Sequence, residues 1–372
     1  MLIGVPKEIK NHEYRVGMVP GSVRECIHHG HSVIIETTAG DGVGATDDDY
    51  IAAGAEIVAT AADVFARADM VIKVKEPQAI ERKMLRQGQI LFTYLHLAPD
   101  PEQTKDLVES GAVCIAYETV TDDVGGLPLL APMSQVAGRM SIQAGAHCLE
   151  KAQGGSGVLL AGVPGVLPAK VVIIGGGVVG ENAAYMAVGM GADVTILDRN
   201  VDTMRALVVR FGQTIKTEYS TALAVEQEVL AADLVIGAVL VPGAEAPKIV
   251  SRDLISRMKP GSVLVDVAID QGGCFETSKA TTHAEPTYMV DGIVHYCVAN
   301  MPGGVAKTST YALNNVTLPF TLALADKGYK QALTDNPHLL NGLNVHKGDV
   351  TYKAVADDLG YAYVDPITAI NS

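Results

Sequence analysis

The stretch "VVIIGGGVVGENAAYMAVGMGADVTILD" limits the fold more than any other part of this 372-residue chain. Gly175, Gly177 and Gly180 form G-x-G-x-x-G directly after four β-branched residues, at the start of a helical pattern. A second strand pattern ends at Asp198. In such a β-loop-helix-β unit the first glycine makes a tight turn, and the second lets the backbone approach a pyrophosphate. The third lets helix and strand pack closely. The helix N-terminus adds amide donors and the positive end of its dipole. Asp198 can accept hydrogen bonds from both ribose hydroxyls and repels a 2′-phosphate, which favours NAD. The adjacent Arg199 is the one residue here that would suit NADP.

The same alternation occurs twice. In the first third, "LIGVPKE", "SVIIETTAG", "MVIKVKEP", "QILFTYLHLAP" and "AVCIAYETV" alternate with helical patterns. One of these, "TAADVFARA", starts with a capping box of Thr60 and Asp63. A long helical stretch, "SQVAGRMSIQAGAHCLEKA", and a Gly/Pro-rich loop then lead into the second round. Strand-helix-strand repetition requires crossover connections and a parallel sheet. A chain of this length is also long for a single core. The expected fold is α/β: two doubly wound, Rossmann-like parallel-sheet domains joined by long helices. The mostly helical segment from about Val305 has too few strands for a third domain and is expected to pack on the first, making that domain discontinuous. The expected boundaries are 1–128 with 306–372 for a substrate domain, and 129–305 for a dinucleotide domain.

Composition removes several functions. The net charge of −14 comes from scattered acids, with no basic stripe, so neither nucleic acid nor an anionic membrane surface is an expected partner. The most apolar stretch is interrupted by Pro164, Pro168, Lys170 and repeated glycines and does not read as a membrane span. Five widely spaced cysteines, with no C-x-x-C pair, suit reduced thiols in a cytoplasmic protein.

Ligands of open parallel sheets bind outside the carboxyl ends of the strands. Four residues stand near such ends: Arg15, Lys75, His96 and Asp270. Each also has a plainer reading. Arg15 and Lys75 can be solvated charges, and Asp270 can cap the turn before Gly272. His96 interrupts an apolar strand pattern and can be a core histidine with a satisfied hydrogen bond.

Together, "VPKEIKNHEYRVGMVP", "LFTYLHLA", "LPLLAPMSQVAGRMS", "VDVAIDQGGCFE" and "YCVANMPGGVAKTSTYAL" resemble the alanine dehydrogenase family, in register from Met1 to beyond Gly342. The resemblance implies NAD-dependent interconversion of L-alanine with pyruvate and ammonium by a homohexamer of two-domain subunits. It implies substrate binding by Arg15 and Lys75 and acid/base roles for His96 and Asp270. It also implies cofactor contacts at Ser134, Val178, Asp198, Ser220, Val239, Leu240, Lys279 and Val298 to Met301. Two departures stand out. Some relatives carry a divalent-metal Glu and His pair where this chain has Ala323 and Lys327, so no such metal is expected. Relatives often have a basic residue at the place of Thr203. The competing readings are a transhydrogenase-like NAD-binding subunit, which needs no amino-acid site, and a non-catalytic NAD-binding protein.

Overall fold

The computed structural model describes residues 1–239 and 246–372. The chain forms two units, residues 1–133 with 303–372, and residues 134–302.

The first unit holds strands β1 (Leu2–Val5), β2 (Ser32–Glu36), β3 (Glu56–Val58), β4 (Met70–Ile72), β5 (Ile90–Thr93) and β6 (Val113–Ala116). They lie in the order β3-β2-β1-β4-β5-β6, and all their pairings are parallel. Period-two alternation sends neighbouring side chains into two cores. Ile90, Phe92 and Tyr94 enter one, with Val113 and Ile115. Leu91, Leu95, Cys114 and Ala116 enter the other. A sheet buried on both faces tolerates such continuous apolar runs. The capping box at Thr60 and Asp63 forms as expected.

The returning segment corrects one expectation. After the helix Ala306–Lys327 it adds two strands, Leu343–His346 and Asp349–Val350, at the β6 edge. Both pairings are antiparallel, so this sheet is mixed. Each strand is four residues or shorter, too brief for its period to stand out from helix. The helix Ala306–Lys327 also satisfies the backbone after Arg15. Asn314 Oδ1 accepts the Val19 N–H at 2.9 Å, and Thr310 Oγ1 accepts the Val16 N–H at 3.3 Å.

The second unit holds β7 (Lys170–Ile174), β8 (Asp193–Asp198), β9 (Ile215–Tyr219), β10 (Leu234–Gly237), β11 (Val263–Asp266), β12 (Thr287–Val290) and β13 (Ile293–Tyr296). Their order is β9-β8-β7-β10-β11-β13, with β12 antiparallel at the edge. Each unit therefore winds outward in both directions from its first strand, leaving a topological switch beside β1 in one and β7 in the other. The predicted long helix spans Ala131–Cys148, starting three residues earlier and ending four residues earlier than its sequence pattern. Among the described residues no helix is long and apolar enough to cross a membrane.

Candidate active site

Arg15 follows β1, Lys75 follows β4, His96 follows β5 and Glu118 follows β6. These four strands are neighbours and run in the same direction. Arg15 and Lys75 thus flank the switch point of the first unit. His96 and Glu118 continue along the same carboxyl edge.

Arg15 is not a solvated charge. It is buried, and Glu13 grips one edge of its guanidinium: Nε donates to Oε1 at 2.7 Å, and Nη2 donates to Oε2 at 2.5 Å. Nη1 lies 3.2 Å from Met133 Sδ. Burial opposes the charge, but Glu13 outweighs it and raises the Arg15 pKa.

Beneath Lys75 lies an ion cluster that sequence reasoning missed. Lys73 is fully buried, with Nζ 3.0 Å from Glu8 and 2.8 Å from Glu81. Glu8 Oε1 also accepts the Val74 N–H at 2.7 Å and the Lys75 N–H at 3.3 Å. Burial disfavours the Lys73 charge, yet the two carboxylates hold its pKa above the usual lysine value. Burial pushes the Glu8 carboxyl up despite Lys73, and the neighbouring Glu81 and Glu13 carboxylates push it the same way. The signal in the sequence was Lys73 inside "MVIKVKEP", a charge in an apolar strand pattern.

His96 corrects the expected strand, which stops at Thr93. The residue sits three positions further on, at φ +50°, a backbone region uncommon for non-glycine residues. Its side chain is 46 % exposed, which excludes the core reading. The ring lies parallel to Tyr94, with centroids 5.9 Å apart. The Tyr94 hydroxyl donates to the Leu129 carbonyl at 2.6 Å.

In the second unit the glycines behave as the motif requires. Gly175 has φ +102°, and a Cβ there would stand 2.6 Å from the Ala238 carbonyl oxygen. A Cβ on Gly180 would overlap the Gly175 carbonyl. A Cβ on Gly177 would meet no protein atom within 4 Å. Gly177 caps the helix Val178–Gly189 with no side-chain hydrogen bond, so its first-turn amides carry no competing side-chain cap. Open space, a Cβ-free backbone and uncapped amides together fit a dinucleotide pyrophosphate.

Asp198 ends β8. Oδ2 accepts the Gly176 N–H at 2.6 Å, and Oδ1 accepts the Asn200 N–H at 2.7 Å. A carboxylate has about four acceptor positions, so both oxygens keep room for ribose hydroxyls. Thr203 Cγ2 would stand 3.1 Å from a Cβ on Gly176, which places this departure beside the loop. Ser220 follows β9, Val239 follows β10 and Val298 follows β13, all on the carboxyl edge with Gly175. Val298 and Met301 are buried, and Lys279 is exposed. Ser134 lies in the first turn of the helix Ala131–Cys148. Leu240 lies outside the described residues.

The capping role weighed for Asp270 belongs to its neighbour. Asp266 is buried and accepts the Ala268 and Cys274 N–H groups at 3.1 and 2.9 Å, and the Ser278 hydroxyl. Asp270 is exposed on the short 3-10 turn Val267–Gln271 that Asp266 caps.

The descriptions "Alanine dehydrogenase/PNT, N-terminal domain" and "Alanine dehydrogenase/PNT, C-terminal domain" match residues 4–137 and 141–353. The chain belongs to this family. It is 62 % identical over 370 residues to an alanine dehydrogenase of Halomonas elongata, covering all of both chains. A solved L-alanine dehydrogenase shares 53 % identity at TM-score 0.94, over 97 % of this chain and 99 % of that one. The transhydrogenase of Sinorhizobium meliloti is more distant, with 25 % identity at TM-score 0.81 over 95 % of this chain and all of that one.

Proposed function

We propose that the protein is an NAD-dependent alanine dehydrogenase, converting L-alanine and water to pyruvate and ammonium and catalysing the reverse reductive amination. The observation that carries this reading is the row of Arg15, Lys75 and His96 on one carboxyl edge, three residue types suited to a 2-oxo or 2-amino acid. When bound, a nicotinamide supplies the two-electron transfer chemistry. Its dinucleotide would be held by Gly175, Gly177 and Gly180, by the N–H groups of the helix beginning at Val178, and by Asp198. Ser134, Ser220, Val239, Leu240, Lys279, Val298 and Met301 are the further contacts of this reading.

Arg15 binds the substrate carboxylate. A planar guanidinium is suited to holding that carboxylate bidentately. Lys75 adds positive charge at the carboxylate or the carbonyl oxygen. His96 takes and returns protons as water adds to the α-carbon and ammonia leaves. Asp270 orients the water or the amine and stabilises positive charge on the substrate nitrogen. A homohexamer belongs to the same reading; the exposed Leu159, Val163, Val166 and Leu167 after the helix Ala131–Cys148 support it.

The test is alanine-dependent NADH formation by the purified protein, followed at 340 nm, with pyruvate and ammonium required for the reverse. NADH formation that does not depend on alanine would reject the proposal.

A further inference from the structure

A histidine at positive φ, three residues beyond its strand, needs something to hold it there, because such a backbone stores strain. The structure shows what does so. The Glu118 carboxylate accepts the His96 N–H at 2.6 Å, and its two oxygens each lie 3.2 Å from the Leu95 N–H. The same Oε1 lies 3.8 Å from His96 Nδ1. Gln103, itself buried, donates to the Leu95 carbonyl at 2.6 Å. The turn Leu95–His96 is therefore tied on its amide side by a carboxylate and on its carbonyl side by an amide. Glu118 is only 12 % exposed, on the short 3-10 turn Tyr117–Thr119 that follows β6. The pairing of β5 with β6 sets the distance between the two groups, because Thr93 is in register with Ala116.

We infer that Glu118 is a positioning residue for the reaction: its carboxylate holds the His96 backbone at positive φ and faces Nδ1, so that the ring presents Nε2 to substrate. This rests on the proposed role of His96. Tyr94 fixes the ring plane by stacking, and Glu118 fixes the end of the ring from which it points.

The test is a double-mutant cycle between Glu118→Gln and His96→Ala, read by steady-state kinetics of pyruvate amination. Glutamine keeps one acceptor oxygen for the amides and loses the charge. Glu118→Gln should lower kcat roughly 10- to 100-fold, the scale on which misplacing a reacting group is felt. The KM for NADH should stay within about twofold, since no cofactor contact is touched. In the His96→Ala background the same change should cost nothing further, because a residue that acts through His96 has nothing left to position. If Glu118→Gln does not fold, Glu118→Asp serves in its place. It keeps the charge but draws it back from the loop, and should show a smaller loss with the same silence beside His96→Ala.

Normal kcat in Glu118→Gln beside a slow His96→Ala would overturn the positioning role and leave the function intact. An equal loss in both backgrounds would show that Glu118 acts independently of His96 and would overturn the positioning role. A His96→Ala enzyme as fast as the original would remove the role of His96 and this inference with it.

Discussion

Two alanine substitutions three residues apart should fail in opposite ways. At Gly180 the methyl group would run into the Gly175 carbonyl oxygen, 2.9 Å from its carbon, and lie 3.2 Å from Ile173 Cγ2. The obstacle is backbone, and no rotamer can relieve it. Overpacking costs typically about 1–3 kcal/mol, and a clash with fixed backbone puts Gly180→Ala at the upper end. At roughly 2–4 °C per kcal/mol for a unit of this size, the midpoint should fall by about 6–12 °C. Gly177→Ala meets nothing within 4 Å and keeps an ordinary φ of −68°, so its midpoint should stay within about 2 °C. Its methyl group would instead occupy the space a pyrophosphate needs. Losing one charge-assisted hydrogen bond, about 1.5–3 kcal/mol, weakens NADH roughly 10- to 150-fold. Differential scanning fluorimetry and NADH fluorescence titration read the two effects separately. A stable Gly180→Ala, or a Gly177→Ala that binds NADH normally, would refute the reasoning.

Other expectations follow from single contacts. His96→Ala should lower kcat roughly 10²–10⁴-fold with little change in melting, since the ring is half-exposed; a destabilised but active variant would contradict this. Arg15→Lys should raise the KM for pyruvate while NADH binding holds, because lysine keeps the charge and loses the planar fork; unchanged pyruvate saturation would make Arg15 structural only. Lys73→Met leaves two buried carboxylates without their cation and should cost roughly 3–5 kcal/mol in urea unfolding. Because the Lys73 pKa is raised in the fold, its stabilisation is full below its ordinary value of 10.5 and is lost as pH rises through the folded value. The original protein should therefore weaken above that pH, and a Lys73→Met protein that weakens equally would exclude this lysine as the cause. Burial pushes the Cys26 and Cys114 thiols up to about 12, so native protein at pH 8 should resist iodoacetamide at both; rapid labelling would disprove their burial.

Much of this protein was legible along the chain. The parallel runs within both sheets and the glycine turn before the helix Val178–Gly189 follow from period-two apolar runs and glycine spacing, both of which are local. Arg15, Lys75, His96 and Asp270 stand out as candidates because each follows a strand. What local pattern could not decide was the work each residue does, since that depends on neighbours distant in sequence. Arg15 reads as a surface charge until Glu13 and Met133 are seen to bury and grip it. The cap that was the plainer reading of Asp270 belongs to Asp266, four residues earlier, whose buried carboxylate accepts from Ala268, Cys274 and Ser278. Asn314 binds the backbone after Arg15 across 295 residues, and Glu118 binds His96 across 22. Sequence periodicity determines which face of an element is apolar, and so the layers of the fold. Hydrogen bonds and charge pairing depend on distances of about 3 Å, and only the packed strands and helices bring those groups within reach.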